Sequence, residues 1–99
     1  MLASQPMMGD LLVYPSFTIV AGDGTHHNFI GHVGIVVGTS HVADWNPLQP
    51  RYDLLDVAQC HGPNGFTPGV VRTDGSIWSH HSAVWPKPEH RSWMIRALP

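Results

Sequence analysis

The sequence predicts a small, mainly antiparallel β-sheet or partial barrel of about five strands, a mainly β arrangement of the α+β kind. Short segments rich in β-branched and aromatic residues recur along the chain, and clusters of Gly, Pro, Asn and Asp separate them. No window combines a sustained 3.6-residue apolar period with caps at both ends, so no long helix is expected.

Residues 11–20 carry β-branched, aromatic and apolar side chains around a Pro15-Ser16 interruption, which favours an edge strand or a bulge over a central strand. Gly22-Asp23-Gly24-Thr25 then reads as a turn. Residues 29–37 give the strongest strand, because Val33-Gly34-Ile35-Val36-Val37 is too β-branched and too glycine-rich for a comfortable helix. Beyond the loop containing Asn46-Pro47 and Gln49-Pro50, residues 54–60 form the next strand, closed by Gly62-Pro63-Asn64-Gly65. A short strand over residues 69–73 ends at the Asp74-Gly75 turn signal, and residues 92–98 alternate in the manner of a last strand.

A chain of 99 residues is a single domain spanning positions 1–99, with 42% hydrophobic and 12% charged residues, which marks a globular module and not a disordered tail. Five Lys and Arg against seven Asp and Glu leave a formal charge of -2, and the basic residues are scattered, so phosphate neutralisation of a nucleic acid is not expected. Its apolar runs are far shorter than the roughly 20 residues that cross a bilayer as a helix, so no membrane span is expected. The first residues lack both a basic and an apolar signal-peptide region. A single cysteine, Cys60, has no partner in the chain for a disulfide.

Three stretches carry candidate chemistry: Gly9-Asp10-Leu11-Leu12-Val13-Tyr14-Pro15, then Gly31-His32-Val33-Gly34-Ile35-Val36-Val37-Gly38, then Val57-Ala58-Gln59-Cys60-His61. A cysteine thiol is mostly protonated at neutral pH, so a cysteine hydrolase sets an imidazole beside it as base and a third polar group to fix the imidazole's tautomer. A rigid strand is a good mount for such a base. Gly31 and Gly34 are expected to leave room for a neighbouring backbone or a substrate, while Val33, Ile35 and Val37 anchor the opposite face in the core. Period-two alternation sets Val57, Gln59 and His61 on one face and Ala58 and Cys60 on the other.

The first two stretches resemble the paired signature of NlpC-type, papain-like cell-wall cysteine peptidases and their CHAP-domain relatives, in which a Gly-Asp-Leu strand start precedes a Gly-His-Val-Gly-Ile strand. The resemblance covers residues 9–99 and implies the β-half of that fold. It implies His32 as catalytic base and Gln59 as its orienter, and a glutamine side chain can accept the imidazole N–H. It also implies hydrolysis of amide bonds in peptidoglycan stem peptides, an endopeptidase or amidase reaction at a bacterial or phage-attacked cell wall, with no cofactor and no metal.

In the usual order of that family the nucleophile lies in an Asp-Cys-Ser-Gly-like motif at a helix start before the Gly-Asp-Leu strand, whereas this chain begins eight residues before Gly9. Three arrangements stay open: a half-domain or fragment whose cysteine comes from a partner, Cys60 acting as the nucleophile in an order reminiscent of permuted relatives, or an inactive cell-wall-binding or assembly module. The second requires a β-bulge or a strand end to bring Cys60 onto the face of His32. A sheet without the family's helices is expected to be covered by a partner chain, by self-association or by a locally rewritten cover.

Plainer readings stand beside these. His32 alone would be a polar strand-end residue, and Cys60 alone a small buried hydrophobe. His26-His27 and His80-His81 read as solvated loop residues, since neighbours on a strand point to opposite faces and no metal-binding spacing is present. Among the tryptophans, Trp93 is expected in the core, while Trp45 and Trp85 stay open between a core role and stacking on sugar rings. Asp10 reads as a turn residue bonding the backbone at the strand entrance, and Asp56 as solvated.

Overall fold

The computed structural model describes residues 4–61 and 69–96, the side chains of residues 60, 61 and 69–71 excepted. Its elements in chain order are β1 (Leu11–Tyr14), β2 (Phe17–Val20), β3 (His26–Phe29), β4 (His32–Gly38), a single 3-10 turn at Tyr52–Leu54, β5 (Asp56–His61), β6 (Gly69–Asp74), α1 (Ser76–Val84) and β7 (Trp93–Ile95). The main sheet has five strands in the order β6-β5-β4-β1-β7, every neighbouring pair antiparallel, and β2 and β3 form a separate two-stranded ribbon. The mainly β expectation holds, as an open sheet and not a closed barrel.

Pro15 and Ser16 divide residues 11–20 into two strands that belong to different sheets. β1 is not an edge strand: it lies between β4 and β7. Pro15 follows the last residue of β1, so its missing N–H removes nothing from the ladder. The expected turn at Gly22-Asp23-Gly24-Thr25 closes the ribbon. Gly24 takes φ +84°, where a Cβ would be strained, and the Thr25 N–H donates to Asp23 Oδ1 at 2.9 Å.

The helix α1 is the largest departure from the sequence expectation. Its nine residues include one fully buried side chain, Trp78, and its N-cap, Gly75, contributes no side-chain hydrogen bond. Apart from Ala83, serine, histidine and β-branched residues of middling helix propensity fill the rest, so neither stripe nor cap announces it. Tertiary packing holds it instead. A Cβ at Gly75 would collide with the carbonyl of Tyr52, so glycine here lets the chain enter α1 directly against the 3-10 turn.

Trp78 packs with Leu12, Val36, Tyr52, Leu55, Val57 and Met94 into the core, between α1 and one face of the sheet. This reverses the expected facing of β4. Gly34 and Val36 are buried on the core face, whereas Val33 and Ile35 are 50% and 46% exposed on the other. The reason is Trp78: a Cβ on Gly34 would lie 2.6 Å from its ring and 2.6 Å from Val57, so the glycine position accommodates the indole and the larger β4 side chains turn outward.

Other expectations shift in the same way. Trp93 is only partly buried and Met94 supplies the β7 core contact. His26 and His27 are exposed but lie in β3, and His80 and His81 lie in α1, where His81 is half-buried. Asp56 is partly buried beside Arg72, with 3.6 Å between Oδ2 and Nη2. Asp10 does bond the backbone, accepting the Met7 N–H at 2.8 Å. It is also 1% exposed and clamped by Arg96 from the far end of the chain, through Nε and Nη2 at 2.8 Å each.

Candidate functional site

His32 opens β4 on the face that α1 covers. The step into the strand is tight: a Cβ on Gly31 would lie 2.7 Å from the Tyr14 carbonyl oxygen and 2.8 Å from the Ser16 amide. The room anticipated at Gly31 therefore serves a neighbouring backbone, and the Gly31 N–H donates to Ser16 Oγ at 2.8 Å.

His32 pairs with Tyr14 across the β1–β4 ladder, and Gly34 pairs with Gln59 across β4–β5. Gln59 is thus the diagonal neighbour of His32 on the same face, a separation that a long side chain spans. With no side chain on Gly34, the amide lies across to the imidazole and its Oε1 is 2.6 Å from His32 Nε2. Gln59 is 8% exposed, so few waters compete for this contact. An amide oxygen has no proton to give, so Nε2 carries the hydrogen and, in the neutral ring, Nδ1 holds the lone pair.

Aromatic groups hold the ring from other sides. Trp78 lies face to face with His32, with centroids 5.4 Å apart and planes 25° from parallel, and Tyr14 lies 6.1 Å away at 41°. Tyr14 in turn stacks on His81 at 4.0 Å and 7°, while His81 Nε2 donates to the His90 carbonyl at 2.6 Å. Burial pushes the Tyr14 phenol above its ordinary pKa, which keeps it neutral. The arrangement can do one thing chemically: accept a proton at Nδ1 of a ring whose tautomer and tilt are fixed. Among the described residues, no hydrogen bond reaches Nδ1.

The structure brings His32 and Gln59 together as the sequence suggested. The remaining candidate, Cys60, sits in β5 opposite Val70, but its side chain lies outside the described residues. Pairing of β5 with β6 runs without a register shift from Asp56↔Asp74 to His61↔Gly69. The described irregularity falls between Val36 and Gly38 in β4 instead. Tyr14 and Trp78 were not anticipated as parts of this site. Tyr14 stands directly across the ladder from His32 and could have been found from the register, whereas Trp78 arrives on a helix without a sequence signature. Among the described residues, no group of three His, Cys, Asp or Glu side chains is arranged to hold a metal ion.

Compared with protein-family models, curated proteins and solved structures, the chain matches none.

Proposed function

We propose that this chain carries the base and the orienting amide of a cysteine hydrolase directed at amide bonds of peptidoglycan stem peptides, with His32 as general base and Gln59 as the residue that fixes its tautomer. The observation that carries the reading is the 2.6 Å contact between His32 Nε2 and Gln59 Oε1. That contact leaves Nδ1 as the basic atom of a strand-mounted imidazole, the role thiol activation requires. The resemblance of Gly9-Asp10-Leu11 and Gly31-His32-Val33-Gly34-Ile35 to the NlpC-type signature supplies the substrate class.

In this reading Nδ1 takes the thiol proton as sulfur attacks the amide carbonyl. The same proton passes to the departing amine as the C–N bond breaks, leaving a thioester. Water activated by Nδ1 then releases the acid and restores the thiol. The thiol is one carried by a second polypeptide docked at the His32 end of β4, or Cys60, whose use requires the end of β5 to turn its side chain toward His32.

A second reading, a peptidoglycan-binding or assembly module without the reaction, is favoured by Trp78. This indole is fully buried and stacked on the imidazole, an arrangement that equally suits a histidine retained for packing. Iodoacetamide labelling across pH separates the two. The hydrolase reading with Cys60 as nucleophile expects alkylation at pH 6 that is faster than for a free thiol and falls to the free-thiol rate in His32→Ala. Ordinary thiol kinetics in both proteins, together with no cleavage of muropeptides by the chain alone or after addition of its cellular partners, would overturn the hydrolase reading and leave the module.

A further inference from the structure

A concavity that shares no lining residue with the His32 site lies between the loop preceding the 3-10 turn and the segment leading into β7, with Ser82 of α1 in its lining. Its volume is about 470 Å³, in the size range of small-ligand pockets. Trp45, Leu48, Tyr52, Trp93 and Met94 make its walls largely apolar, and Arg91 is the charged residue among its lining groups. The Arg91 guanidinium carbon lies over the Trp93 ring, 3.9 Å from its centroid.

Arg91 Nε is buried and has no hydrogen-bond partner among the described residues. A guanidinium N–H withdrawn from water with nothing to donate to is costly, more so beside apolar walls. Ser82 and Ser92, two of the three lining serines, do not relieve it. Ser92 Oγ donates to the Trp78 carbonyl at 2.8 Å, and Ser82 Oγ accepts the Ser92 N–H at 2.9 Å. The charge of Arg91 also reaches Tyr52, where burial pushes the phenol pKa up and the guanidinium pulls against it.

We propose that this pocket binds a carboxylate borne on an apolar body, with Arg91 as the anchoring cation and Trp45 and Trp93 as the walls for the body. A carboxylate matches the terminal N–H groups of the guanidinium, whose charge has no ion-pair partner among the described residues. One cation calls for a monoanion, and a phosphate dianion would remain under-neutralised. A sugar fits poorly, because its hydroxyls need several acceptors and no Asp, Glu, Asn or Gln lines the walls. Two sources share this chemistry: the carboxyl end of a peptide with small apolar residues, and a free aromatic or aliphatic acid.

Both sources are tested on the intact chain with matched probes: N-acetyl-alanyl-alanine against its C-terminal amide, and phenylacetate against phenylacetamide. Binding is read from the indole N–H resonances of Trp45 and Trp93. At least one acid is expected to bind saturably and about tenfold or more tighter than its amide, the scale of one charge-assisted hydrogen-bonded pair. Arg91→Gln is expected to remove that preference while leaving the weak amide binding in place. The acid that binds identifies the source. Equal binding of acid and amide, no saturable shift with either acid, or an acid preference that survives in Arg91→Gln would overturn the assignment. Because the acid-to-amide comparison is made on the unaltered protein, it decides the question even where the variant does not fold.

Discussion

Gln59 Oε1 lies 2.6 Å from His32 Nε2 across the β4–β5 ladder, over a position occupied by glycine. The contact specifies a tautomer, because only the ring nitrogen can bring the proton. The neutral His32 ring is therefore expected to show one protonated and one unprotonated nitrogen, with the proton on Nε2, in long-range ¹H–¹⁵N spectra. Gln59→Leu removes the acceptor from a nearly buried position and should give mixed tautomers. The orphaned N–H should cost about 1–3 kcal/mol of stability. If the ring kept a single Nε2–H form in the variant, Gln59 would not be what orients it.

The two faces of β4 make opposite predictions. Gly34→Ala drives a methyl group into Trp78 and Val57, each 2.6 Å from where the Cβ would sit, and should lower stability by about 1–3 kcal/mol, as overpacking does. Trp78→Ala should cost about 3–5 kcal/mol. Val33→Thr and Ile35→Thr, on the half-exposed face, should each lie within about 0.5 kcal/mol of the parent. Urea midpoints of the four variants check this directly, and a large effect at Val33 or Ile35 with none at Gly34 would place the core on the other face.

How far the sequence could be read follows from which features are local. The Gly22–Thr25 turn, the β4 segment and the alternation of Val57, Ala58 and Gln59 in β5 are each written in a few adjacent residues, and each is present in the structure. The His32–Gln59 pair was reached differently, through the resemblance of these stretches to the NlpC-type signature, and the β4–β5 register makes the two residues diagonal neighbours. What was not legible depends on distant chain. No stripe of apolar residues marks α1, and without Trp78 in place the heavier residues Val33, Ile35 and Val37 look like the core side of β4. The Arg96 clamp on Asp10 joins positions 86 residues apart, and the stacking of Arg91 on Trp93 depends on how the chain turns after α1.

Gly31 constrains the position of His32 through the backbone. A Cβ there would meet the Tyr14 carbonyl and the Ser16 amide at 2.7 and 2.8 Å, and main-chain atoms in a paired strand cannot swing aside as a side-chain end can. Gly31→Ala is expected to shift the start of β4 and weaken the Tyr14↔His32 end of the ladder. The loss is about 1–3 kcal/mol, accompanied by faster amide exchange at residues 31–33 and by loss of the single His32 tautomer. Exchange that speeds up only within the β2–β3 ribbon would show that the strain is relieved there and does not reach the site.

Acid stability should report on Asp10. Burial alone would raise the pKa of its carboxyl, but hydrogen bonds from Arg96 and from the Met7 N–H, with the Arg96 charge, outweigh that and hold it below the ordinary 3.8. The folded state thus binds the Asp10 proton more weakly than the unfolded chain does. The resulting stabilisation is fully present above the unfolded pKa near 3.8 and is lost as pH falls through the lower folded value. Wild-type protein should therefore lose stability on acidification from about pH 4 downward, while Asp10→Asn, with no carboxyl to titrate, should start less stable at pH 7 and fall less over the same interval. Urea midpoints at pH 7, 4, 3 and 2.5 give the comparison. Parallel decline of the two proteins would mean that the acid sensitivity belongs to other carboxyls and that the Arg96 clamp does not hold Asp10 in its charged form.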